Sequence, residues 1–241
     1  MTPAFSRTAL VLGEHSLEIL NKSHVIIFGL GGVGGYVAEA LIRAGVGELS
    51  IVDNDVVSES NLNRQIIALH STIGKNKTDA IEERAKDINP EIIIHKYNCF
   101  YSEQTANQFD FSKYNYIIDC IDTITSKILL IEQTKLSKGP EALSTNFITC
   151  LGTGNKLDPM AFKISTIEKT SVCPLAKVMR HELKKREIKK VKCVYSTEIP
   201  VNSTLPENEN GRHSPGSVSF VPSAAGLLIA SEVIKNLCGL N

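Results

Sequence analysis

The chain has 241 residues, with 26 Lys and Arg balanced by 26 Asp and Glu, 42% apolar residues and 22% charged residues. This is the composition of a globular protein with room for one large α/β domain or two small ones, and it excludes a chain too polar to bury a core. A formal charge of zero also means that any nucleic-acid contact must come from a local patch rather than from the whole surface.

The apolar run 25–28 ends at a cluster of glycines and reads as a strand; 36–44 then reads as a helix closed by Gly45. Further strands are expected at 49–52, 92–95 and 116–118, separated by helices near 77–87 and 126–137. Strands alternating with helices specify an α/β fold, a Rossmann-like doubly wound, mainly parallel sheet. Beyond Gly139 the spacing predicts strands at 142–150 and 161–167 and a basic helix near 175–190. A polar, Pro- and Asn-rich loop comes next near 200–216, expected to be mobile, then a strand at 217–221 and a last helix at 224–237. The resulting division is an N-terminal helical arm at 1–22, a nucleotide-binding core at 23–150, and a C-terminal part at 151–241 that completes the same domain. No apolar run approaches the roughly 20 residues that span a bilayer, and no secretory segment opens the chain, so a cytoplasmic location without stable membrane association is expected. The six cysteines include no C-x-x-C pair, so no zinc is expected and the thiols read as reduced core or edge residues.

Gly29, Gly31 and Gly34 fit G-x-G-x-x-G, with Gly32 between them, and the motif stands between an expected strand and an expected helix. That setting brings phosphates against backbone N–H groups at a helix N-terminus. Asp53, at the end of the next strand, is placed for a ribose hydroxyl. A nicotinamide-dependent oxidoreductase would share these features, so the residues beyond Asp53 have to discriminate. Arg64 and Lys77 supply two fixed cations suited to a triphosphate and to charge building at its α-phosphorus. Asp122, after the fourth strand, suits the Mg²⁺ that accompanies ATP; Asp119 reads either as a further ligand or as a strand-end cap.

The motifs Gly29 to Gly34, Ala44 to Gly47, Asp53-Asn54-Asp55, Asn61 to Gln65, Gly74 to Lys77, Ile88-Asn89-Pro90 and Asp119 to Asp122 together resemble the ThiF/MoeB/HesA group. Its members adenylylate a carboxylate and share the fold of ubiquitin-activating enzymes. The resemblance implies ATP and Mg²⁺ as ligands, Asp53 and Asp55 on the nucleotide, and Asn61, Arg64, Gln65 and Lys77 on the phosphates. It also implies Asp122 on Mg·ATP, and Arg7 reaching the partner's site in a homodimer. Further matches around Arg7 to Gly13, Cys173 to Arg180, Val194-Tyr195-Ser196 and Gly216 to Pro222 resemble one branch, the tRNA threonylcarbamoyladenosine dehydratases. That branch implies a tRNA substrate whose threonylcarbamoyl side chain is closed into a ring at the expense of ATP. It leaves open a bound Na⁺ or K⁺, a cysteine-desulfurase or sulfur-acceptor partner, and a thioester role for Cys173 or Cys193. Activation of the Gly-Gly terminus of a ubiquitin-like sulfur carrier is the alternative reading. Residues 177–192 hold eight Lys or Arg against Glu182 and Glu187, and Lys184, Lys185, Arg186, Lys189 and Lys190 are the expected RNA-phosphate contacts.

Overall fold

A computed structural model describes residues 3–201 and 215–240. Two short helices, α1 (Ser6–Leu12) and α2 (Glu14–Asn21), lead into β1 (His24–Phe28), α3 (Gly34–Ala44) and β2 (Glu48–Val52). Then come α4 (Lys77–Ile88), β3 (Ile93–Tyr97), β4 (Tyr116–Asp119), α5 (Ile124–Lys138), α6 (Ala142–Thr145) and β5 (Phe147–Cys150). The chain closes with β6 (Phe162–Thr166), α7 (Pro174–Lys185), β7 (Lys192–Ser196) and α8 (Phe220–Cys238). The seven strands form one sheet in the order β3-β2-β1-β4-β5-β7-β6, parallel throughout except for β6, which runs against β7.

The central strands are apolar at nearly every position because both faces are covered. On one face Val25, Ile27, Leu49, Ile51 and Ile118 pack under Val37 and Leu41 of α3 and Ile229 and Val233 of α8. On the other, Ile26, Phe28, Ile117 and Phe147 meet Ile128 and Ile131 of α5, Met179 and Leu183 of α7, and Phe109 and Phe111. α8 is long and apolar enough to cross a membrane by length and composition, yet Val221, Ala225, Ile229, Ala230 and Val233 lie in the first of these two cores.

Three expectations are corrected and one strand is unexpected. Residues 217–221 form no strand: Phe220 and Val221 open α8, and Pro222 sits in its first turn, where a fixed φ and a missing N–H suit a helix start and would break a sheet ladder. Ala142 to Thr145 make one helical turn rather than the beginning of β5. The basic helix stops at Lys185, not Lys190, because Glu187 and Lys190 take φ of +53° and +58°, left-handed values a right-handed helix cannot contain. β7 has no counterpart among the expected strands; its flanking lysines hide the buried Cys193-Val194-Tyr195. Of the expected loop, 202–214 lies outside the described residues.

Candidate active site

Strand order reverses between β1 and β4, and an open α/β sheet leaves a crevice at the carboxyl ends of its strands at such a point. Here a cavity of about 270 Å³ opens among Gly29, Gly31, Gly32, Asp53, Arg64, Gln65, Lys77, Cys120 and Asp122. Tyr101 and Ser126 line it from one side and Thr153, Ser217 and Pro222 from another.

The glycines have separate duties. Gly29 has φ +89°, and a Cβ there would meet the Cys120 carbonyl oxygen at 2.7 Å; a Cβ on Gly34 would fall 1.8 Å from the Gly29 oxygen. Both are demanded by the packing of the turn. Gly31 differs: a Cβ there would find nothing closer than Gln65 Nε2 at 4.0 Å, so its missing side chain leaves space on the cavity side. This is the cradle a phosphate needs.

Asp53 follows directly on β2, its side chain 8% exposed. Its Oδ2 accepts the Leu30 N–H at 2.6 Å and its Oδ1 the Asp55 N–H at 2.8 Å, so the carboxylate fixes the glycine turn as well as facing the crevice. Burial raises its pKa, with Lys77 and the two backbone donors acting in opposition. Lys77, 6% exposed, holds the 59% exposed Asp55 carboxylate at 2.7 Å and stands 3.9 Å from Asp53. Arg64 donates through Nη1 to the Ser60 carbonyl at 2.7 Å and to Asn63 Oδ1 at 2.9 Å. Asp122 is exposed and accepts from Thr123 Oγ1 at 3.2 Å. Among the described residues, two buried polar atoms at the cavity wall have no hydrogen-bond partner, Gln65 Oε1 and the Tyr101 hydroxyl. Stranded groups of this kind cost stability unless a ligand completes them.

The crevice thus collects Gly29, Gly31, Gly32, Asp53, Arg64, Gln65, Lys77 and Asp122. Asn61 and Asp55 are not among its lining residues. Asn61 accepts the Ser58 N–H and completes a capping box, holding the turn that carries Arg64 and Gln65. Arg7 lies exposed on α1, outside this crevice.

Beneath the floor is a group that sequence reasoning misses. Lys127 of α5 is completely buried and donates to Asp119 Oδ2 at 3.0 Å, Thr149 Oγ1 at 3.0 Å and the Cys150 carbonyl at 2.7 Å. Asp119 in turn accepts from Thr149 Oγ1 at 2.7 Å and from the Ile121 N–H at 3.0 Å. Asp119 is therefore a structural anion that ties α5, β4 and β5 to the loop leading to Asp122. A lysine directly before the apolar run Ile128 to Ile131 is its one sequence signal.

The rim is held by Asn155, whose φ is +55°. Its carbonyl accepts the Val201 N–H at 2.8 Å, its Oδ1 accepts the Gly216 N–H at 2.6 Å, and its own N–H donates to the Gly216 carbonyl at 2.8 Å. Asn155 thus joins Val201 to Gly216 near Thr153 and Ser217.

Cys193 and Cys150 are buried and pushed up to about 12, and burial raises Cys120 at the crevice as well. Cys173 is buried at the start of α7. On the far side, Lys184, Lys185, Arg186, Lys189 and Lys190 are all exposed. Lys185 and Arg186 pair with Glu182, and Arg186 also with Glu132. Because β7 runs parallel to β5, this basic end of α7 points toward the amino ends of the strands, away from the crevice.

Comparison with known proteins agrees with this geometry. The model of the ThiF family matches residues 5–241. The tRNA threonylcarbamoyladenosine dehydratase of Bacillus subtilis (strain 168) is 40% identical over 248 residues, covering 98% of this chain and 95% of its own. The crystal structure of the Escherichia coli tRNA N6-threonylcarbamoyladenosine dehydratase in complex with ATP superposes with a TM-score of 0.86 at 31% identity, covering 98% of this chain and 94% of that one. The same Escherichia coli protein in complex with AMP gives a TM-score of 0.85 at 30% identity, again covering 98% and 94%.

Proposed function

The chain belongs to the ThiF family, and on that premise we propose that it is an ATP-dependent tRNA threonylcarbamoyladenosine dehydratase. The observation that carries the proposal is the crevice itself, where a phosphate cradle at Gly31 meets two cations and two unpartnered buried polar atoms. The near-full-length likeness to a B. subtilis dehydratase supplies the substrate class.

A carboxylate is a poor electrophile, so the reaction begins with an oxygen of the threonyl carboxylate attacking the α-phosphorus of ATP. The new P–O bond forms as the bond to the β-phosphate bridge breaks, and pyrophosphate leaves. The carbamoyl group then attacks the activated carbonyl carbon, AMP departs with the former carboxylate oxygen, and the ring closes. Well-oriented intramolecular attack contributes about 7–11 kcal/mol of barrier reduction, so the protein's task in this step is to orient the chain and exclude water. Arg64 and Lys77 neutralise the charge gathering at the α-phosphorus. Lys77 reaches it by leaving the exposed Asp55, which holds the ammonium at 2.7 Å. Asp53 takes the ribose, Gln65 Oε1 and the Tyr101 hydroxyl gain partners on the nucleotide, and Asn61 keeps the Arg64 turn in place. Asp122 would hold Mg²⁺, which supplies charge neutralisation on the leaving phosphates.

The reading extends to a homodimer, with Arg7 completing the neighbouring crevice. Leu10 and Val11, 86% and 83% exposed on the same short helix, support a covered α1 in the assembled enzyme. It extends also to the 184–190 cations as contacts for RNA phosphates, which give affinity rather than base identity. A tRNA engaging both the crevice and this patch must run along the length of α7, about 18 Å for twelve residues.

The test is incubation with ATP and tRNA bearing threonylcarbamoyladenosine, read by mass spectrometry of the nucleosides. Appearance of the cyclic nucleoside with AMP and pyrophosphate supports the proposal, and Arg64→Ala or Asp122→Ala abolishes it without changing the circular dichroism spectrum. No cyclic product, or full turnover in both variants, refutes it; pyrophosphate exchange dependent on a protein ending in Gly-Gly selects sulfur-carrier activation instead.

A further inference from the structure

At the opposite end of the sheet three side chains from three adjacent strands converge. His24 opens β1, Glu48 opens β2 and His95 lies inside β3. His95 Nε2 is 2.7 Å from Glu48 Oε1, and His24 Nδ1 is 3.4 Å from the same oxygen. One ligand atom from each falls within 4.8 Å of the others. We propose that His24, Glu48 and His95 form a binding site for a borderline divalent transition ion such as Zn²⁺.

Two imidazoles and a carboxylate are a donor set that zinc and its neighbours favour over magnesium or calcium. The His24 ring is already anchored. His24 Nε2 lies 2.9 Å from the hydroxyl of the fully buried Ser50, which leaves Nδ1 on the Glu48 side; a metal-bound histidine needs its second nitrogen held in this way. The ring is further fixed by an edge contact with Tyr114 at 4.7 Å between centroids. Donor atoms around a tetrahedral zinc lie about 3.4 Å apart, as bonds of about 2.0–2.1 Å require. Only the more exposed His95 and Glu48 side chains need to move to reach that spacing, and solvent on their side supplies the remaining position. No cysteine takes part, so the absence of C-x-x-C pairs has no bearing on it.

The site would clamp the edge strand β3, whose residues are mostly exposed or half-buried, to the two strands beneath the nucleotide turn. It lies about 13 Å along β1 from the crevice, at about 3.3 Å per residue, so ATP turnover proceeds without it.

The experiment uses tag-free, EDTA-stripped, reduced full-length protein, titrated with Zn²⁺ by chelator competition and with Co²⁺ by visible absorbance. Wild type is expected to take one Zn²⁺ per chain and to show a Co²⁺ d–d band, while His95→Ala and Glu48→Gln each bind at least tenfold more weakly. Both substituted side chains are partly exposed, and both variants are expected to unfold at the wild-type temperature in EDTA. Zinc at 100 times its wild-type Kd should lower the wild-type unfolding constant about 100-fold and the His95→Ala constant by about 11-fold at most. Absence of saturable Zn²⁺ binding, or equal binding by wild type and both variants, overturns the proposal.

Discussion

Replacing Lys127 by Met tests whether the floor of the crevice rests on a buried ion pair. Both partners are shielded from water, and the ammonium makes three hydrogen bonds, so its loss leaves the Asp119 carboxylate with only Thr149 and the Ile121 N–H. Stranding one charge of a buried pair costs about 3–5 kcal/mol, against a total stability for a domain of about 5–15 kcal/mol. Urea unfolding followed by circular dichroism should therefore show a large fall in midpoint at unchanged slope. Lys127→Met combined with Asp119→Asn removes the stranded charge while keeping an oxygen for Ile121. The double variant should lose only about 1–2 kcal/mol, the net worth of the missing hydrogen bonds. A single variant within about 1 kcal/mol of wild type, or a double variant no milder than the single, would refute the account of Asp119 as a structural anion.

The two kinds of glycine should separate cleanly. Gly34→Ala, with its Cβ 1.8 Å from the Gly29 oxygen, should unfold at markedly lower denaturant, whereas Gly31→Ala should keep wild-type stability and lose ATP affinity by calorimetry. Glu39 offers a pH test. Burial acts to raise its pKa, but hydrogen bonds from Arg84 and Arg43 outweigh that and hold it below the usual carboxylate value. A depressed carboxyl contributes stability above its unfolded pKa, near 4.5, that is lost as pH falls through the folded value. Glu39→Gln should thus lose about 1.5–3 kcal/mol at pH 7 and show a flatter decline below pH 4.5. Cys193→Ala should retain full ATP-dependent turnover, since its thiol is inaccessible and pushed up to about 12; a dead but folded Cys193 variant would revive a thioester step.

What is legible in the sequence is local. The passage from β1 through the glycine turn to α3 is written in adjacent residues, and Asp53 stands at the end of the next strand. Arg64, Gln65 and Lys77 are reached through motif spacing, and they do line the crevice. The features that escape are contacts between distant segments. Tyr101 and Ser126 reach the crevice wall from either side of β4. His24 and His95 are 71 positions apart and meet only because β2 lies between their strands. The strand expected at 217–221 fails for another reason: a run of β-formers says nothing about whether a sheet has a position left for it, and Pro222 is the better guide.

Asn155 has an evolutionary consequence. Three hydrogen bonds on one asparagine fix Val201 and Gly216 relative to each other. Doubling the number of residues between two points so fixed adds only about 0.6 kcal/mol of closure entropy. Insertions, deletions or wholesale exchange between Val201 and Gly216 would leave the strands in register. The two stretches of chain that meet at Asn155 thus keep their places beside the crevice however the sequence between them drifts.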